Sequence, residues 1–427
     1  MSTLSRRSFL ESALFAGASS VMASRLAFAN APTDGRLVFV LLRGALDGLS
    51  AVPPVGDPDY AGLRGQIALT RTGQGKPESA ALPLSNAQGG LFGLHPALAF
   101  LHESYRANEL ALLHAVASPY RERSHFDAQN VLEGGELRPN GSTSGWINRA
   151  LASLPGGKSR EAGVALGANV PLAMRGPAEV VSWSPTKIAA LDEETLARIA
   201  DLYARDPLLS RRLADALESD AIATAAQAAA NDEAEETPTK ETMMTAADEA
   251  RQKRNYHARY AETARAAAGF LKRDDGPRVA MFDTSGWDTH ANEGGAQGQL
   301  ATRLGALDLA LRSLKESLGP VWRETVVLVA TEFGRTAAIN GTRGTDHGTG
   351  AAAFLLGGAV NGGRVIVDWP GLARANLHES RDLKPTRDLR TVMKGVLRDH
   401  LGVSAAALDT KVFPQSGDVR PLDGLVK

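Results

Sequence analysis

Cysteine is absent from this chain of 427 residues. That absence removes disulfides, cysteine-ligated zinc, iron–sulfur clusters and thiol nucleophiles together. It leaves the compartment open, because a protein without disulfides can reside anywhere. An excess of either charge is also lacking, with 47 basic residues against 48 acidic ones. A nucleic-acid binder would show a basic surplus somewhere, so that class has no support. Internal repeats are not visible. The overall balance, 43% hydrophobic and 22% charged, is that of a globular chain, neither largely disordered nor a multi-span membrane protein.

What the chain does have begins at its N-terminus. Ser5-Arg6-Arg7-Ser8-Phe9-Leu10 sets two arginines before an apolar pair, and a mild apolar run follows from about Ala13 to Ala23. Gly17, Ser19 and Ser20 dot that run, which is too short and too weak for a span of about 20 apolar residues. Ala27 and Ala29 then offer an A-x-A cleavage pattern before Asn30. Residues 1–29 are therefore expected to be a twin-arginine export signal, read by the twin-arginine translocase, which carries folded proteins. The mature part, residues 30–427, is expected to be mildly acidic, periplasmic or secreted, and without a stable membrane span.

Beyond the signal, short apolar, β-branched runs recur: Arg36 to Leu42, Leu110 to Val116, Arg278 to Phe282, Thr325 to Ala330, Ala353 to Leu356 and Arg364 to Val367. Runs apolar at every position are the signature of strands buried on both faces. Amphipathic patterns lie between them at Pro96 to Asn108, Ser124 to Glu133, Gln297 to Ser317 and Arg387 to Leu401. Alternation of this kind predicts an α/β fold, a mainly parallel sheet with helices on both faces. The stretch from about 193 to 273 is Ala-, Glu- and Arg-rich without strand signals. It reads as a helical insertion of surface helices, broken by the acidic run from Asn231 to Pro238.

Open α/β sheets bind ligands beyond the carboxyl ends of their strands, and polar residues collect at those places. Asp47 follows the first run and Arg121-Glu122-Arg123-Ser124-His125 the second. Asp288-Thr289-His290 follows the third, Glu332-Phe333-Gly334-Arg335 the fourth, and Asp346-His347 stands in a later loop. Three of the nine histidines lie in these loops, each within two residues of an aspartate. Carboxylates and imidazoles at one edge suit a divalent metal such as zinc, manganese or magnesium. Each residue also has a plainer reading. Asp47 fits a turn, Asp288 an N-cap, Glu332 with Arg335 an ion pair, and Asp346-His347 a brace for a glycine-rich loop. Together they are hard to explain without a common cause. Ser124 stands at a helix start, where it is either an N-cap boxed by Asp127 or a nucleophile facing an anion. His125, Arg121 and Arg123 beside it suit a base or an oxyanion clamp. Trp146, Trp183, Trp287 and Trp369 suit core packing better than a carbohydrate-binding surface.

The strand with RGALDGL, then RSHFDAQ, GWDTH, TEFGRT, GTDHG and GGRVIVDWPGL together resemble the family called domain of unknown function 1501, over about Leu37 to Val403. That family is similar in fold to the alkaline phosphatase and sulfatase superfamily, and the resemblance implies a two-metal phosphoesterase or sulfatase. By position it implies Asp47 as the first metal acid and Ser124 as the nucleophile. Asp288 and His290 match the next pair, Glu332 the acid after the following strand, and His347 the last histidine. Three departures stand out. Glu332-Phe333 replaces Asp-His, the earlier pair is Asp-x-His rather than Asp-x-x-x-His, and no Ser-x-Pro-x-Arg signal surrounds Ser124. One ion, an altered pair and none all stay open.

The expectation is an exported, metal-dependent hydrolase of a phosphate or sulfate ester, on a small-molecule or glycan substrate. Asp47, Asp288, His290, Glu332, Asp346 and His347 would hold metal, Ser124 and His125 would do the chemistry, and Arg123 and Arg335 would neutralise ester oxygens. The alternative is a non-catalytic periplasmic binding or assembly factor on a degenerate scaffold, since fold does not imply function.

Overall fold

In the computed structural model, residues 34–155, 163–184, 193–203, 206–231 and 246–427 are described. The expected export signal and nearly all of the acidic run lie outside them. The strands of the main sheet are β1 (Arg36–Arg43), β2 (Leu110–Ala117), β3 (Gly163–Leu166), β4 (Val180–Trp183), β5 (Val279–Ser285), β6 (Thr325–Thr331), β7 (Ala351–Leu356), β8 (Arg364–Ile366) and β9 (Arg387–Asp388). Their order is β8-β2-β7-β6-β1-β5-β3-β4, with β9 also paired to β2.

The β1 sequence shows why the apolar runs are continuous. Val38, Val40 and Leu42 enter one core, and Leu37, Phe39 and Leu41 enter a second core across the sheet. Side chains alternate along a strand, so a sheet covered on both faces needs apolar residues at every position. On the first face lie α1 (Ala99–Arg106), α6 (Ala246–Leu271) and α7 (Gln299–Leu318). On the second lie α3 (Trp146–Leu151) and α8 (Leu389–Leu401) with the C-terminal residues Leu408, Val412 and Phe413. Asp388 caps α8 by accepting from the Arg390 amide at 2.8 Å, and Gly402 ends it in the left-handed conformation.

All pairings of the main sheet are parallel except those of β7, which runs antiparallel between β2 and β6. An antiparallel return needs no crossover helix. The chain therefore leaves β6, loops through 332–350, and comes straight back at the same edge of the sheet. That placement brings His347, which precedes a strand, to the edge where the other polar residues follow theirs.

Two features depart from the sequence reading. The short strands β3 and β4 extend the sheet beyond β5 and were not anticipated. The described parts of the 193–271 stretch are helical, as α4 (Glu193–Tyr203), α5 (Pro207–Asn231) and α6, but α6 is not a surface helix. Its residues Ala264, Ala266, Ala267, Ala268, Phe270 and Leu271 are fully buried, and it packs on α7 and the sheet. Small alanines let α6 approach both partners closely, which a composition read only as Ala- and Arg-rich conceals. Among the described residues no helix is long and apolar enough to cross a membrane.

Candidate metal centre at the sheet edge

The loop after β1 begins the site. Gly44, with φ +116°, has no room for a side chain, since a Cβ there would lie 2.7 Å from the Asp288 backbone nitrogen. The segment carrying Asp288 and His290 thereby closes onto the end of β1. The Gly44 amide meanwhile donates to Glu332 Oε1 at 2.8 Å. A second close approach fixes the last loop. A Cβ on Gly344 would lie 2.4 Å from backbone atoms of Thr289 and His290, so the GTDHG and GWDTH loops stack directly.

Three imidazoles and one carboxylate meet there. His347 Nε2 lies 3.0 Å from His125 Nε2 and 3.0 Å from His290 Nε2. Asp288 Oδ1 lies 3.2 Å from His347 Nε2 and 3.0 Å from His290 Nε2, while its Oδ2 is 3.4 Å from His125 Nε2. His125, Asp288 and His347 are the group among the described residues whose ligand atoms all lie within 4.8 Å of one another. Ligand atoms about 2.0–2.1 Å from a tetrahedral zinc are about 3.3 Å apart, so these separations fit an ion.

The other ring nitrogens are all held. His125 Nδ1 pairs with Glu332 Oε1 at 2.8 Å, His290 Nδ1 with Asp346 Oδ1 at 3.1 Å, and His347 Nδ1 with the Arg123 carbonyl at 3.0 Å. A carbonyl only accepts, so His347 Nδ1 carries the hydrogen and its Nε2 presents a lone pair. Carboxylates behind the other two favour the same tautomer. Nitrogen lone pairs 3.0 Å apart repel unless a cation or a proton lies between them, and that is how metal-binding imidazoles are oriented. The donor set fits a divalent ion.

Electrostatics agree with this arrangement. Burial opposes ionisation of Glu332, but hydrogen bonds from His125, Gln129 and Gly44 outweigh it and hold the carboxyl below its usual range. The Glu332 hydrogen bond raises His125 against the effect of burial. Burial lowers His347, and the nearby His125 adds to that. Asp288, despite partial burial, is held low by Arg335, and Asp346 chiefly by Asn340. Phe333 forms the floor: His125 stacks on it with centroids 4.8 Å apart, and His347 lies at 5.2 Å. Phe333, next to Glu332 in the chain, is thus a packing surface for the imidazoles.

Several expected roles meet a different placement. Asp47, expected as a metal acid, is 1% exposed and caps the helical turn Gly48–Ala51 through the Ser50 amide at 3.0 Å; its other oxygen is ion-paired to Arg64. Glu332 and Asp346, also expected as ligands, stand behind His125 and His290. Arg335, expected at ester oxygens, is buried and bonded to Asp288 and Thr345. Arg123 is turned to Asp382 at 2.9 Å and to Glu379, and Arg121 to the Ser118 and Tyr120 carbonyls. Ser124 is the N-cap residue of α2 (His125–Gly134), but its side chain makes no capping bond. The expected box with Asp127 does not form, because Asp127 accepts from Tyr120 at 3.3 Å instead. His125, expected as a base, belongs with the candidate ligands.

The sequence reading missed Arg64 and Glu293. Arg64 is fully buried, and its Nη2 reaches Asp47, Ser50 Oγ at 2.7 Å and Glu293 Oε1 at 3.6 Å. Glu293, three residues past His290, accepts from Ser50, Thr289 and Thr345 hydroxyls at 3.1, 3.0 and 2.8 Å. Its place at the end of GWDTHANE was the one available signal; nothing local marks Arg64.

The family described as "Protein of unknown function (DUF1501)" matches residues 34–412, and the chain belongs to it. No curated protein matches the sequence. Among solved structures, the lipoteichoic acid synthase LtaP from Listeria monocytogenes is 9% identical with a TM-score of 0.34, over 92% of this chain and 80% of that one. A Bacteroides thetaiotaomicron protein described for the metabolism of multiple glycosaminoglycans is 11% identical with a TM-score of 0.35, over 91% of this chain and 75% of that one.

Proposed function

We propose that this member of the DUF1501 family is a metal-dependent hydrolase of a phosphate or sulfate ester, exported by the twin-arginine route to the periplasm or beyond. The observation that carries the reading is the convergence of imidazole Nε2 atoms on Asp288, each ring fixed from behind by an acceptor. His125, His347 and Asp288 would hold the ion, with His290 beside them, and a bound divalent cation would supply Lewis-acid polarisation of an ester oxygen. Glu332, Asp346 and the Arg123 carbonyl keep the rings in the tautomer that offers Nε2. Arg335 fixes the Asp288 carboxylate and is not free to touch substrate.

The chain's own contribution to an anionic oxygen is the start of α2, whose first amides and positive dipole end face the same edge. Ser124 stands immediately before it with a hydroxyl not used for capping, and is the nucleophile to test, with water as the alternative attacker. The second reading, a non-catalytic binding or assembly factor, is favoured by Phe333 standing where an imidazole is expected. One experiment separates the two. Protein purified after native export is assayed for metal and screened against phosphate monoesters, diesters and sulfate esters. Hydrolysis lost in His347→Ala and reduced in Ser124→Ala supports the enzyme. No metal and no hydrolysis, with His290→Ala and His347→Ala behaving as the parent, overturns it.

A further inference from the structure

The resemblance to two-metal enzymes assigns Asp47 to a metal, and the surroundings of Asp47 do not fit that role. Its carboxylate lies in a fully buried cluster with Arg64 and Glu293. Arg64 is anchored there from both sides, with Nη1 on the carbonyls of Thr336 and Ala337 at 3.3 and 3.4 Å and Nη2 on Asp47 and Ser50. We propose that this centre binds a single divalent ion, and that the Arg64 guanidinium stands in place of a second cation against Asp47 and Glu293. The inference rests on the reading of the imidazole cluster as a metal site.

Three observations carry it. The first is charge. Arg64 Nη2 is ion-paired to Asp47 and lies 3.6 Å from Glu293 Oε1, so the two buried acids already share a cation supplied by the chain. A second cation placed against these two acids would meet that guanidinium. The second is access. Arg64 and Glu293 are 0% exposed and Asp47 1%, and every Asp47 and Glu293 oxygen already has a protein partner. The third is the donor count at the other cluster. His347 Nε2 can serve one ion only, and Asp346 and Glu332 face imidazole Nδ1 atoms rather than the centre. Two ions would each keep too few protein donors. Asp288, Glu332 and Asp346 oppose one Arg335, and a single divalent cation balances the remainder.

Arg64 is thus a positioning residue. It holds the end of β1 and the Thr336–Ala337 backbone together as a bridging ion would, without being exchangeable. The test is metal content of the full chain, loaded with zinc or manganese in excess, exchanged into metal-free buffer and measured by elemental analysis. One ion per chain is expected, falling to none in His347→Ala and staying at one in Asp47→Asn and Glu293→Gln. Two ions in the parent, with Asp47→Asn keeping one, overturn the inference while leaving the metal-centre reading intact. No ion in the parent overturns both. The parent ratio decides even where a buried variant fails to fold.

Discussion

Two acid-rich clusters stand within a few residues of one another at the same sheet edge, and they are built to opposite ends. Around Asp288, the imidazoles are between 23% and 45% exposed, their Nε2 atoms face each other, and the chain's own cation, Arg335, pairs with the carboxylate and not with the rings. Around Asp47, everything is buried and a guanidinium occupies the centre. The residue types after the strands are alike. What differs is whether the chain supplies its own positive charge. A buried acid with an arginine in reach becomes a structural tie, and an acid among lone pairs at a solvent-facing edge keeps its donors for the outside cation proposed above.

The sharpest break in that comparison comes from removing a donor. His347→Ala is expected to weaken metal binding by more than about 100-fold, since even the partners behind a ligand contribute about 10–100-fold. Isothermal titration with zinc measures it, and an unchanged affinity would place the ion elsewhere. In the buried cluster the corresponding loss is of stability. Arg64→Met leaves Asp47 without its cation and is expected to cost about 3–5 kcal/mol, read as a urea midpoint shift. A cost below about 1 kcal/mol would mean that the tie is not structural.

Smaller effects sharpen the contrast. Glu332→Gln keeps an acceptor behind His125 but removes its charge, and should lower metal affinity by about 10–100-fold while the fold persists. If circular dichroism and affinity both stay unchanged, Glu332 does not tune the ring. The smallest effect is one of pH. Burial and the neighbouring Asp47 charge push the Glu293 carboxyl from 4.5 to about 8. The folded chain then holds that proton to higher pH than the unfolded one. Its contribution favours folding below about 4.5 and declines as pH rises toward 8, after which it is constant. The stability difference between the parent and Glu293→Gln should therefore fall across that window, and a flat difference would contradict it.

Most of the sheet was legible because burial on both faces writes itself into consecutive residues, as in RLVFVLL of β1 and TVVLVAT of β6. The four-residue β3 and β4 were not, because GVAL and VVSW are too short to separate from loop. The direction of β7 was also hidden, since an apolar run carries no sign of which way it pairs. At the site, the five loops were legible from their acid and histidine content, but their division of labour was not. Glu332 and His125 are 207 positions apart and Asp47 and Glu293 are 246 apart. Which acid backs a ring and which meets an arginine is decided by loop stacking at Gly44 and Gly344, and by Arg64, which has no motif of its own.

The central claim is that the cation site is the imidazole cluster and not the acid after β1. The most direct measurement is a crystal structure of the full chain soaked in zinc, with anomalous scattering recorded at the zinc edge. The account predicts one strong peak bonded to His125 Nε2, His347 Nε2 and Asp288, with Arg64 still paired to Asp47. A peak on Asp47 and Glu293 with Arg64 displaced, or no peak among the imidazoles, would contradict it.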